Sequence, residues 1–377
     1  MRVTLGAPGR IMPPASKAIE FAQQAEADGF DAIWWPWHLM GWVPDAVWTE
    51  DMTELARLQS NPHLFFDPLI MMGAAGAATE RINVGVCVTD TIHRHPGMLA
   101  QESLTVDHLA RGRSILGLGS GERMNVTPYG LEWEKPVGRL EEAIKVLRLL
   151  WESDGPVSFE GKFFRLENAV IGLDPYEGRT PPVWLAAHGP RMLRITGRLA
   201  DGWLPTNMPP ETYAEKLGAI RESAEGAGRD PDAITPSMLA YVICAPDEET
   251  LTRMYEAPLA RLLFAAVDMS PEMYERHGST SPFEGGSGFH SFLPTTVTRA
   301  ECERIISHIP GSIVRELTLS GTPSQIADQV RTYQEAGLRD VVLWNITPFA
   351  DPAHSIYSFK AMKQVRELLE TEPAAAG

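Results

Sequence analysis

Eight short apolar segments, each followed by a stretch with helical spacing, limit what this chain can fold into. They are Arg2–Gly6, Phe30–Trp35, Ile82–Val88, Ser114–Leu118, Pro182–Ala187, Gly202–Pro205, Ser237–Cys244 and Asp340–Trp344. Between them the period changes. Ala18, Phe21, Ala22 and Ala25 share one face of a helix that Ser16 can cap and Gly29 can stop. Val137, Leu140, Ala143, Ile144, Leu147 and Leu150 do the same over Pro136–Trp151. Alternation of this kind means a parallel sheet. Eight units predict an α/β fold of the (β/α)8 TIM-barrel type rather than an open doubly wound sheet. An open sheet that bound a dinucleotide would want GxGxxG after its first strand, and Ala7-Pro-Gly-Arg-Ile stands there instead.

The reading treats residues 1–377 as one barrel domain with insertions near 43–61, 155–180 and 264–317. Val43–Asn61 is irregular and rich in Trp, Asp and Glu, and Val157–Leu166 alternates like a hairpin around Gly161. Ser270–Pro294 clusters Gly, Ser and Pro. Glu248–Ala266 reads as one continuous helix, and Glu372–Gly377 as a frayed tail.

Composition removes whole classes of partner. The net charge of −16 argues against nucleic acid and anionic membrane. Cys87, Cys244 and Cys302 are far apart and form no CxxC pair, so neither a disulfide framework nor a zinc site is expected. The start of the chain lacks the apolar run of a signal peptide, and no run of about 18 uncharged apolar residues exists. The expectation is a cytoplasmic protein with no membrane span. No metal is expected: His93 and His95 have no carboxylate pair spaced to join them.

The most informative stretch is Arg111-Gly-Arg-Ser-Ile-Leu-Gly-Leu-Gly-Ser-Gly-Glu122. A buried strand runs into a turn where Gly117, Gly119 and Gly121 alternate, which would let the backbone take positive φ and let a ligand approach. Glu122 then leaves the sheet at the end where barrels bind ligands. Other strands end alike: Pro36-Trp37-His38 with Trp42, Cys87-Val88-Thr89-Asp90, Ala187-His188-Gly189-Pro190-Arg191, and Pro205-Thr206. An imidazole, a carboxylate, aromatic walls and exposed backbone at one mouth suit a flat aromatic cofactor with a proton relay beside it.

These motifs, in this order, resemble the luciferase-like superfamily, in particular its branch dependent on the deazaflavin coenzyme F420. They are His38 with Trp42, Gly85-Val-Cys-Val-Thr-Asp90, Arg111-Gly-Arg through Gly-Ser-Gly-Glu122, and Trp184-Leu-Ala-Ala-His-Gly-Pro-Arg-Met-Leu-Arg194. Pro128–Val137 is most similar to the phthiodiolone ketoreductases; sugar-phosphate dehydrogenases and methylenetetrahydromethanopterin reductases are more distant likenesses. The resemblance implies a barrel of the bacterial luciferase-like type with insertions, a homodimer, and a hydride passed between C5 of the deazaflavin and a carbonyl or alcohol carbon. It makes His38 and Glu122 the proton donor and acceptor, with Trp42 beside the reacting atoms. A non-proline cis peptide at Cys87–Val88 would press on the ring. Asp90, Ser120, Gly121 and Asn125 would line the ring and its ribityl chain, and His188, Gly189, Arg191, Met192 and Thr206 would hold the phosphate end.

Trp37 stands where the family usually has an aspartate against the cofactor, and Pro209 stands where the dehydrogenases have a lysine for sugar phosphate. The expected substrate is therefore a fairly apolar carbonyl or alcohol. An apolar lid from the insertions, using Trp48, Phe283, Phe289 and Phe292, is a further expectation. Two rivals keep the fold: an FMN-dependent monooxygenase, and a cofactor-binding paralogue without turnover.

Overall fold

The computed structural model describes residues 2–267, 269–283, 288 and 293–371. The expected tail Glu372–Gly377, and Phe289 and Phe292 of the expected lid, lie outside them.

All eight anticipated strands form. They are β1 (Thr4–Pro8), β2 (Ala32–Trp35), β3 (Asn83–Val86), β4 (Ser114–Leu118), β7 (Val183–Leu185), β8 (Gly202–Trp203), β9 (Thr235–Cys244) and β11 (Asp340–Asn345). Each pairs in parallel with the next, and β11 pairs with β1, so the sheet closes on itself. The fold is a TIM barrel. The hairpin expected after the helix Pro136–Trp151 is β5 (Val157–Glu160) against β6 (Arg165–Ala169).

Two tryptophans fill the barrel's interior. Trp34 and Trp184 lie with ring centroids 5.3 Å apart, packed with Ala32, Ile115, Leu204 and Val342. The space comes from glycines on neighbouring strands. A Cβ on Gly85 would sit 2.4 Å from the Trp34 ring, and one on Gly202 would sit 2.5 Å from the Trp184 ring. Large and small residues thus interdigitate across the barrel. The second, larger layer lies outside, where Ile33, Trp35, Val84, Val86, Leu116 and Leu118 face the helices.

Three differences from the sequence reading have simple causes. The helix expected over Glu248–Ala266 is two, Glu248–Tyr255 and Pro258–Ala266. Pro258 has no N–H to continue the first helix and pushes Ala257 to an extended conformation, φ −62° and ψ 131°. A ninth parallel strand, β10 (Leu319–Gly321), pairs with Val242–Cys244 of the long β9; its three residues have no pattern of their own. The insertion after Ala266 also contains the helices Arg299–Ser307 and Gly311–Glu316. With Pro258–Ala266 they form a second apolar cluster beside the barrel.

The glycines at the end of β4 and just past it act differently from the expectation. Only Gly121 has positive φ, at 82°. Gly117 and Gly119 are required by the adjacent strand. A Cβ on Gly117 would lie 1.9 Å from the Val86 carbonyl oxygen, and one on Gly119 would lie 2.8 Å from Cγ2 of Val88. They let β3 and β4 close together beneath the site.

Candidate active site

A cavity of about 330 Å³ opens at the C-terminal end of the barrel strands, where barrel enzymes place their chemistry. His38, Cys87, Val88, Asp90, Ser120, Glu122 and Thr206 line it, as do Trp37, Trp42, Gly121 and His188. These residues follow five different strands, so only closure of the barrel brings them together.

At the rim His38 and Glu122 meet, with Nδ1 of the imidazole 3.4 Å from the Glu122 carboxylate. The His38 side chain is 14% exposed and that of Glu122 33%, so the pair reaches both cavity and solvent. Phe65 covers the imidazole with a centroid separation of 4.9 Å. Trp42 leans on Phe349 at 5.3 Å.

The floor is the end of β3. The peptide between Cys87 and Val88 is cis. The Cys87 thiol is directed at the Trp35 carbonyl at 3.6 Å, and burial pushes its pKa well above the usual range. Beyond it Thr89 is buried, and its Oγ1 has no hydrogen-bond partner among the described residues. Asp90 is 2% exposed. Burial raises its pKa, but the backbone N–H of Ile92 and both the ring and N–H of His93 donate to it. Together they hold it below the ordinary carboxylate range. The His93 ring in turn packs at a tilt against Trp37, centroids 4.5 Å apart. Trp37 is therefore a wall of the cavity braced from behind.

The residues expected at a phosphate end divide. His188 and Thr206 line the cavity and approach each other, Thr206 N–H lying 3.4 Å from Nε2 of His188. Gly189, Arg191 and Met192 do not line it. Gly189 is the N-cap of the helix Pro190–Leu199, whose first turn has no side-chain cap. The Arg191 side chain points at Glu141, 3.6 Å away, and Met192 is buried in the outer core. What the latter two can offer a ligand is backbone N–H.

Asn125 departs most from its expected place along the ribityl chain. It is fully buried and off the cavity wall. Its amide bridges Glu122 and His38 at 2.9 and 3.1 Å.

The sequence reading also missed one side of the cavity. Tyr241, Leu263, Val267, Trp344, Ile346 and Phe349 form an apolar side opposite Asp90 and Ser120. Trp344, Ile346 and Phe349 lie at or just past the end of β11, and the end-of-strand rule applied to that strand would have found them. Tyr241 could not be found so, because β9 runs on past the rim to meet β10. Its phenol is driven well above the ordinary range by burial first, then by Glu122 and Cys87, and stays protonated. The lid expectation is corrected in part. Trp48 and Phe283 pack against the second apolar cluster rather than over the mouth, and Trp48 donates to the Gln59 carbonyl.

Among the described residues, no cluster of His, Cys, Asp and Glu is arranged to hold a metal, and no helix is long and apolar enough to cross a membrane.

The site thus sits at the mouth of a closed parallel barrel, with an imidazole and a carboxylate paired at its rim. Residues 2–340 match the family model for luciferase-like monooxygenases, and the chain belongs to that luciferase-like family. It is 37% identical over 343 residues to a phthiodiolone/phenolphthiodiolone dimycocerosates ketoreductase of Mycobacterium tuberculosis, covering 89% of this chain and 88% of the relative. It is 29% identical to an F420-dependent glucose-6-phosphate dehydrogenase of Nakamurella multipartita, covering 92% and 90%. Among solved structures, an F420-dependent secondary alcohol dehydrogenase with an F420–acetone adduct shares the fold. Its TM-score is 0.74 at 22% identity, over 97% of this chain and 100% of that one. The chain is an enzyme of the oxidoreductase class.

Proposed function

We propose that this enzyme uses coenzyme F420 to interconvert a carbonyl compound and an alcohol. The observation that carries the reading is the His38–Glu122 pair. It joins strand ends far apart in sequence, at 3.4 Å, beside the Cys87–Val88 floor. The cavity suits a flat, anionic-tailed cofactor. Thr89 offers a buried hydroxyl without a protein partner at the floor. Gly189 opens an uncapped helix end beyond His188, where a Cβ would meet nothing within 4 Å.

The deazaflavin, when bound, supplies or accepts a hydride. The protein supplies the rest. Cys87 and Val88 would back the ring, Trp37 would close one side, and Ser120 and Gly121 would border it. Backbone N–H groups of Arg191 and Met192, with Thr206 and His188, would hold the anionic tail. In the reducing direction the carbonyl carbon gains the hydride. Its oxygen gains a proton from His38 or Glu122, and solvent at the open mouth restores it. Trp42 limits water beside the reacting carbon. The apolar side, Leu263, Val267, Trp344 and Phe349, would take a neutral apolar substrate body, because no cationic side chain among the described residues lines it to pair with a phosphate.

The test is a steady-state assay with reduced F420 and a panel of ketones, with cofactor binding measured separately. Glu122→Gln and His38→Ala are expected to lower turnover at least ~10²-fold while F420 still binds. Near-wild-type turnover in both variants removes the pair from the chemistry. Turnover with FMN and oxygen uptake would replace the cofactor reading with the monooxygenase one.

A further inference from the structure

We infer that Asn125 is a positioning residue that fixes which nitrogen of His38 bears the proton. The inference deepens the reading of His38 and Glu122 as the reacting pair, but its evidence is the hydrogen-bond pattern alone.

The orientation of the Asn125 amide follows from its neighbours. Its Oδ1 accepts from two backbone N–H groups, Leu39 at 3.0 Å and Met40 at 2.8 Å. Turning the amide over would set its NH2 against those two donors, and its oxygen against the Glu122 carboxylate. The NH2 group is therefore the part that faces the site. It has two protons and meets two partners: Oε2 of Glu122 at 2.9 Å and Nδ1 of His38 at 3.1 Å. Since Asn125 is fully buried, neither proton has water as an alternative.

The consequence falls on His38. A nitrogen that accepts from Asn125 holds a lone pair, so the neutral ring carries its hydrogen on Nε2. The competing arrangement, Nδ1–H directed at Glu122, would span 3.4 Å and strand one buried amide proton. Nε2 has no protein partner among the described residues, and His38 lines the cavity. Asn125 thus divides the pair: His38 meets a ligand oxygen as an N–H donor, and Glu122 is held as the acceptor. The groups around the imidazole are consistent with this. Phe65 packs against it at a tilt and is apolar, and Tyr241 across the cavity is a neutral phenol.

The experiment is nitrogen-15 NMR of the histidine rings in the full-length protein without cofactor, near neutral pH. His38 is identified among the ten histidines by the signals missing in His38→Gln. The expected wild-type pattern is the Nε2–H tautomer. Asn125→Asp keeps the two backbone contacts but replaces the donor with an acceptor, so its His38 is expected to move to a ring protonated at Nδ1. A wild-type Nδ1–H pattern overturns the inference, and so does an Asn125→Asp spectrum that keeps the wild-type tautomer. Should the variant not fold, the wild-type measurement decides alone. Neither spectrum depends on F420 or turnover. An expected tautomer in an enzyme that reduces no ketone would overturn the functional reading and leave this one standing.

Discussion

Replacing Asp340 by asparagine should make the protein more stable at neutral pH, with an effect that disappears in acid. Asp340 opens β11 at the barrel's N-terminal end, opposite the cavity, and is 4% exposed. Thr4 of β1 donates to one carboxyl oxygen at 2.6 Å, and Ser237 of β9 donates to the other at 2.7 Å. Burial pushes its pKa up from 3.8 to about 6; the two hydroxyls oppose the rise, and Asp31 adds to it. The folded carboxyl holds its proton more tightly than the unfolded one. Its contribution is thus fully present below about pH 4 and is lost as the pH rises through about 6. At 1.36 kcal/mol per pH unit, the gap costs on the order of 3 kcal/mol at pH 7. Asparagine is neutral throughout and nearly isosteric, and the hydroxyls can rotate to meet its NH2. The assay is urea unfolding of both proteins from pH 4 to pH 7.5. The difference between them should grow by roughly 3 kcal/mol across that window, with turnover at pH 7 unchanged. A difference that is flat with pH, or that grows toward acid, would refute the argument that Asp340 is buried without adequate compensation.

Two further outcomes test the floor of the site. Gly117→Ala places a Cβ where the Val86 carbonyl oxygen lies, at 1.9 Å, so the β3–β4 junction must part. A loss of roughly 3 kcal/mol or more in denaturant stability is expected, with weaker F420 binding, because Cys87 and Val88 move with β3. Thr89→Val removes the buried hydroxyl that has no protein partner. It should leave the melting temperature within a few degrees and weaken F420 binding about tenfold in a fluorescence titration, the worth of one hydrogen bond.

The barrel was legible because its signals are local. Apolar strands such as Phe30–Trp35 and helical stripes such as Leu140–Leu147 show their period within one element, and eight alternations leave few topologies. Boundaries failed where a single residue overrode the period, as Pro258 did, or where an element was too short to have one, as in β10. The positions of His38, Glu122, Asp90 and Cys87 at one mouth were legible too, because strand ends in a closed parallel barrel must converge.

What only the tertiary structure decided is contact across that mouth. Nothing near Asn125 in the sequence says that its oxygen will meet the backbone of Leu39 and Met40, more than eighty residues away, or that its NH2 will fall between an imidazole and a carboxylate. Nothing beside Gly117 says that another strand's carbonyl occupies its missing Cβ. Tyr241 reads as one more strand residue until β9 is seen to continue past the rim. Periodicity records which way a side chain points from its own backbone. Hydrogen bonds and steric exclusion depend on which distant atoms arrive there, and closure of the barrel settles that.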